Sequence, residues 1–382
     1  MHRRLFLGYT GLAASLPTGL LTASVAWSQA SGNGVSEPVV FGPFDREAAP
    51  CAPPVGLPRV LVFARDNDRD FISGIDYGLS RAASDRDLAY EVVNAMNDAG
   101  AMVQQLQALR DRKVGAVVIA PVDAEESAPI LEDILELGTY VGAIVPPPAT
   151  TILNAPQYLT GSVLAEAAAD YVRTRLDGRA NVVLLTHDSL QFLSPRFAAM
   201  RDAFRNMPDV NIVADISPVT VSEKGGYDTM TTVLLAEPQI DVVLGADTVV
   251  LGALAAMRDA GMARPDQFFG GIDGEPAAVA ELRQPDSPYK ISISLASSIF
   301  GYAMGQHAAD WLEGRSIPKA IDVLPFALTA DNLDVYKADM DDPGRVYRDP
   351  ARLQSYVRMY GNTCADTKGS YVNFPWSSEN TP

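Results

Sequence analysis

From Arg59 to Leu312 the chain alternates between two hydrophobic periods, and that alternation limits its fold more than any other feature. Short β-branched and aliphatic runs are each followed by a longer stretch whose apolar residues recur at helical spacing. Arg59-Val60-Leu61-Val62-Phe63-Ala64 carries no polar alternation, which predicts a strand buried on both faces. Phe71-Ile72, Ile75, Leu79 and Ala82-Ala83 then fall on one helical face. Further strands are expected at 88–93, 114–119 and 140–145, then at 181–185, 211–216, 240–244, 267–272 and 290–295, with helices between them. Repeated βα units of this kind imply parallel sheets covered by helices on both faces.

So many strands overfill one doubly wound sheet. A break near Pro156–Thr160 divides the pattern into two similar blocks, which predicts two lobes. A closed (β/α) barrel is the alternative that strand counting leaves open. The flanks, 31–58 and the C-terminal segment to 382, are rich in Pro, Asp, Tyr and Gly and read as wrapping extensions.

The N-terminus reads as an export signal over residues 1–30. Arg3-Arg4-Leu5-Phe6-Leu7 resembles a twin-arginine n-region, Gly11 to Trp27 is mildly apolar, and Ser28-Gln29-Ala30 supplies a small-residue cleavage site. An uncleaved anchor is the competing reading. Export places the chain in the periplasm, where Cys51 and Cys364 meet an oxidising environment. A disulfide between them would pin one extension to the other; two free thiols are the alternative. The net charge of -17 argues against nucleic acid or an anionic membrane as partner.

Catalytic signatures are missing from the sequence. Of three histidines, His2 lies in the signal and His307 inside a helix pattern, while His187 ends a strand without a nucleophile motif beside it. The first strand-to-helix turn, Arg65-Asp66-Asn67-Asp68-Arg69-Asp70, has no glycine with which to approach a pyrophosphate. No His/Cys cluster has zinc spacing, and no cofactor is expected. What remains is a set of polar residues at the carboxyl ends of strands, where open α/β sheets bind ligands. Asp66 and Arg69 follow the first strand, Asp123 the third, and Gln191 and Arg196 a second-lobe strand. Asp247 and Asp273 end two more. Carboxylates accept hydrogen bonds from vicinal hydroxyls, arginine donates to ring and hydroxyl oxygens, and Phe71 offers an aromatic face to a sugar ring. For each aspartate, helix N-capping is the structural alternative. Acid-base chemistry at Asp247 or His187 is the enzyme reading, and it has the least support.

These residues resemble a known family. Ala246-Asp247-Thr248-Val249-Val250-Leu251-Gly252-Ala253-Leu254 is similar to the signature helix of type I periplasmic binding proteins of the ribose-binding class. Gly270-Gly271-Ile272-Asp273-Gly274 resembles the family's Gly-Phe-Asp-Gly, the Asp66–Gly78 stretch its Asn-Pro-Phe-Phe helix start, and Ser194-Pro195-Arg196 its second-lobe arginine motif. The resemblance implies two Rossmann-like lobes joined by a three-segment hinge: 59–159 with 296–325, and 160–295, with 326–382 as the C-terminal extension. Crossovers fall near Thr160, Ser294–Ser297 and Leu324–Phe326. It implies a monomer that closes around one small polar ligand, with Phe71, Arg196, Asp247 and Asp273 as contacts, and performs no catalysis. The partner would be the permease of an ABC importer or, alternatively, a sensor kinase. The sequence departs from the family pattern at Pro146-Pro147, where an Asp-Arg pair is usual. It departs again at Arg69, Leu295 and Ala246, where Asn, Gln and Asn are usual.

Overall fold

A computed structural model describes residues 39–144, 148–367 and 371–380. The export segment at 1–30 and the Pro146-Pro147 pair lie outside the described residues. In chain order, β1 (Val60–Arg65), α1 (Asp70–Asp85), β2 (Ala89–Asn94), α2 (Ala99–Arg112), β3 (Ala116–Ile119), α3 (Ala124–Glu136), β4 (Tyr140–Ile144) and β5 (Thr151–Asn154) come first. The second block is α4 (Gln157–Arg175), β6 (Ala180–Leu185), α5 (Ser194–Phe204), β7 (Val210–Ile216), α6 (Glu223–Ala236), β8 (Val242–Leu244), α7 (Asp247–Asp259), β9 (Phe268–Asp273), α8 (Pro276–Leu282) and β10 (Tyr289–Ser294). Then follow α9 (Ser297–Leu312), β11 (Ala320–Val323), β12 (Phe326–Leu328), α10 (Leu333–Asp341), α11 (Pro343–Arg348), α12 (Pro350–Leu353) and β13 (Val357–Tyr360).

Two open sheets form, not a barrel. One runs β13-β11-β5-β4-β3-β1-β2, the other β12-β10-β9-β8-β6-β7. Each contains the doubly wound order in which the first strand sits between the second and the third. All pairings are parallel except those of the edge strands β12 and β13. The apolar runs predicted the buried strands for a simple reason: helices cover both faces, so Leu61, Val62, Phe63 and Ala64 are all fully buried. Helix α9 is buried along most of its length. Gly78 lets α1 lie against it, since a Cβ there would sit 2.1 Å from the Ser298 carbonyl oxygen.

The chain passes between the sheets after β5, after β10 and between β11 and β12. A fourth passage, β12 through α10–α12 to β13, was not expected from the sequence. The C-terminal segment is therefore more than a wrapping extension, because it supplies an antiparallel edge strand to each sheet. Its last residues tie down further. Val372 bridges Ala149, Trp376 stacks on Phe41 at 5.4 Å, and the Glu379 carboxylate accepts from the Leu159 N–H at 2.8 Å. That last bond caps the start of α4. Cys51 and Cys364 form a disulfide, which joins the two extensions as one of the two sequence readings required.

Candidate ligand-binding cleft

In a doubly wound sheet the helices on either side of the strand-order reversal diverge, leaving a crevice at the carboxyl strand ends. Here each sheet brings one set of polar side chains to those ends. In the first sheet, the turn after β1 is held by its own hydrogen bonds. Arg69 donates to Asp66 at 2.9 Å and, through Nε, to the Asn67 side chain at 3.0 Å. Phe71, one residue into α1, packs on Phe300 of α9 with ring centroids 5.9 Å apart.

In the second sheet, Arg196 sits in the first turn of α5 and is only 6% exposed. Its Nε donates to the Gln157 side chain at the start of α4, at 3.0 Å. Among the described residues its two terminal nitrogens have no hydrogen-bond partner. Gly161 makes this corner possible, since a Cβ there would lie 2.0 Å from the Arg196 carbonyl oxygen. Burial pushes the Arg196 pKa down, and the nearby Asp273 charge works against that.

Asp247 opens α7 and is fully buried. Its Oδ1 accepts from the Tyr289 hydroxyl at 2.7 Å, its Oδ2 from the Ser292 hydroxyl at 2.7 Å and from the Glu275 N–H at 2.9 Å. Burial pushes its pKa up to about 6 despite these donors. Gly271 is required beside it: a Cβ would fall 2.0 Å from Asp247 Oδ1 and 2.2 Å from the Tyr289 hydroxyl.

Asp273 ends β9 with φ of 121°, a region that side chains avoid and that costs about 1–3 kcal/mol. Burial raises its pKa, while Arg196 and Arg69 pull it back. Arg69 belongs to the first sheet and Arg196 to the second, so Asp273 lies within electrostatic reach of both. Two residues on, Glu275 is half-buried and precedes α8 without capping it through its side chain. Burial pushes its pKa up to about 7, with Asp273, Asp247, Asp70 and Glu223 adding to the effect.

The structure thus gathers Arg69, Arg196, Asp247 and Asp273 of the sequence candidates. Asp123 takes its structural alternative: it caps α3 by accepting from the Glu126 N–H at 2.9 Å. Asp66 is occupied by Arg69 and Asn67. Gln191 lies in a short 3-10 turn before α5, and its side chain is outside the described residues. Sequence reasoning missed Gln157, Glu275, Tyr289 and Ser292. Only Glu275 left a signal, as an acidic residue directly after the Asp273-Gly274 strand end. Among the described residues the one grouping fit for a metal is Cys51, Cys364 and Asp366, and its thiols are used by the disulfide.

Two doubly wound lobes whose strand tips bring charged side chains within reach of one another define the class of two-lobed α/β binding proteins. The chain belongs to the periplasmic binding protein family, whose domain model matches residues 60–316. It is 24% identical over 263 residues to a ribose import binding protein of Bacillus subtilis, covering 66% of this chain and 80% of that one. A xylitol-binding protein of Mycolicibacterium smegmatis is 26% identical over 252 residues, 63% of this chain and 69% of that one. Among solved structures, an ABC transporter periplasmic solute-binding protein of Actinobacillus succinogenes with bound D-allose shares the fold with TM-score 0.65. It is 19% identical and is covered over 100% of its length and 73% of this chain. A solute-binding protein of Bacillus halodurans with bound myo-inositol gives TM-score 0.64 at 18% identity, over 74% of this chain and 99% of that one. The family is extracytoplasmic, and no helix among the described residues is long and apolar enough to cross a membrane.

Proposed function

We propose that this chain is the solute-binding component of an ABC importer for a small polyhydroxylated ligand of the sugar or polyol class. Hinge closure would bring Phe71 and Arg69 of one lobe against Arg196, Asp273 and Glu275 of the other. The observation that carries the reading is Arg196, a buried residue whose terminal guanidinium nitrogens have no hydrogen-bond partner among the described residues while Asp273 stands nearby. With no described residue occupying them, these donors can meet ligand oxygens. Asp247 has its acceptors filled from within; its role is to fix the loop through the Glu275 N–H and hold the cleft floor. The chain acts as a monomer without catalysis, delivered by the twin-arginine route with cleavage after Ala30. The relatives are named for import and solute binding, which favours a permease over a sensor kinase as partner.

The test is thermal shift and calorimetry on the mature protein with ribose, xylitol, D-allose and myo-inositol. At a thousand times its dissociation constant a ligand stabilises by about 4 kcal/mol. Arg196→Ala should keep the unliganded melting temperature within a few degrees and lose the ligand response. An undiminished response in Arg196→Ala would remove Arg196 from the site and, with it, the reading.

A further inference from the structure

The charges at the strand tips do not balance, and the imbalance falls on one side chain. Asp66 is paired with Arg69. Asp247 is satisfied by Tyr289, Ser292 and the Glu275 backbone. Asp273 lies in the field of Arg196 and Arg69. Glu275 has no cation: among the described residues its carboxylate has no ion pair or hydrogen bond. The neighbouring charges that act on it most strongly are acidic, namely Asp273 of β9, Asp247 of α7, Asp70 of α1 and Glu223 of α6. Its backbone N–H is fixed on Asp247, so the loop cannot turn away without breaking that bond.

We infer that the ligand carries a protonated amine as well as hydroxyls, an amino-polyol or amino-cyclitol, whose ammonium pairs with Glu275 while its oxygens accept from Arg196. The inference rests on the cleft reading above and adds the ligand's charge to it. Arg196 is the second observation pointing to a ligand, since it is more than nine-tenths buried and its terminal nitrogens have no partner among the described residues. A metal ion is the poorer occupant, because Asp247, Asp273 and Glu275 do not offer ligand atoms close enough together to share one. An ammonium needs only one carboxylate at contact distance and gains from the others through space. The net charge of -17 adds a long-range field of the same sign.

The experiment uses matched pairs that differ in one group: sorbitol against 1-amino-1-deoxysorbitol, and myo-inositol against its mono-amino analogue. Each is titrated into the full mature protein at pH 6 and pH 8. The amine should bind about tenfold tighter than its hydroxyl twin at pH 8, the difference between a charge-assisted and a neutral hydrogen bond. Because Glu275 titrates near 7, its anionic form is present above that pH and lost below it, so the preference should narrow at pH 6. Glu275→Gln should erase the amine preference, bringing the affinity ratio of each pair to about one at both pH values. Wild-type protein that binds the neutral twins as well as the amines, or Glu275→Gln that keeps the preference, overturns the inference and leaves the binding-protein reading standing. Silence from both series in protein whose melting is cooperative overturns both.

Discussion

Asp247→Asn is the substitution whose consequence the structure fixes most sharply. The Asp247 carboxylate is fully buried, and its pKa rises from an ordinary 3.8 to about 6. Burial is the main cause; the Tyr289 and Ser292 hydroxyls and the Glu275 N–H stabilise the anion but do not compensate for lost water. A displacement of that size corresponds to about 3 kcal/mol between the two protonation states. The sign follows from linkage. Below about pH 3 folded and unfolded chains both hold the proton, and Asp247 adds no pH dependence. Between about pH 3 and 7 the unfolded chain releases it first, so stability falls as pH rises, by about 3 kcal/mol in all. Asparagine is nearly isosteric and can satisfy the same partners. Its carbonyl can face the Glu275 N–H, while its amide donates to the Tyr289 and Ser292 hydroxyls, which accept as readily as they donate.

The assay is urea unfolding of wild type and Asp247→Asn at half-unit steps from pH 4 to pH 8 without ligand. Subtracting the curves removes Asp322, whose pKa is also raised, and leaves from Asp273 and Glu275 only the part that depends on the Asp247 charge. Relative to the variant, wild type should lose about 2 kcal/mol between pH 4 and pH 6.5 and then run nearly parallel to it. A difference curve flat to within about 0.5 kcal/mol would mean that the carboxylate reaches water, and the account of a sealed cleft floor would be wrong.

Other substitutions test neighbouring parts of the argument. Gly271→Ala places a methyl 2.0 Å from Asp247 Oδ1 and should cost about 2–3 kcal/mol in urea unfolding, as overpacked cores do; a neutral outcome would show that the floor is not close-packed. Asp273→Gly relieves the φ of 121°, so the unliganded protein should gain about 1 kcal/mol while ligand-induced stabilisation disappears. Loss of both quantities together would show that the strain is not stored there. Replacing Cys51 and Cys364 with serine opens a loop of 313 residues and should cost about 3–5 kcal/mol, read against the oxidised wild type. Glu379→Ala removes the acceptor from the Leu159 N–H and should cost about 0.5–2 kcal/mol, a cap's worth, without altering the disulfide.

The fold was legible where hydrophobic period and element length agree. Strands such as β1 and β6, six residues each, are buried on both faces and read as unbroken apolar runs, and the helices between them carry one apolar stripe. Legibility failed for β5, β11, β12 and β13. Each spans only three or four residues, and, unlike the equally short β3 and β8, they fall outside the regular βα alternation, most of them among Pro, Asp and Tyr. Pairing at a sheet edge decides these segments, and that information is non-local. Helix α8, seven residues behind Pro276, escaped for the same reason. The fourth passage between sheets follows from β12 and β13, so it could not be read before they were.

At the site, sequence position at a strand tip selected the right neighbourhood but could not divide labour within it. Asp123 and Asp247 occupy the same kind of position, directly after a strand and before a helix. One turns outward to cap α3, and the other turns inward beneath Gly271, against Tyr289 and Ser292. Nothing local separates them; what differs is the space behind, which Gly271 opens and which three hydrogen-bond donors fill. The same reasoning explains why Glu275 was passed over. A glutamate before Pro276 reads as an ordinary helix start, and it stands out only when Asp247 is seen to hold its backbone and the strongest charges around it are seen to be negative. Side chains whose demands are met inside the protein shape the strand tips, and on the proposed reading those with unmet demands address the ligand. Arg196, with donors that no described residue uses, and Glu275, with a charge that none pairs, would then define what the ligand must bring.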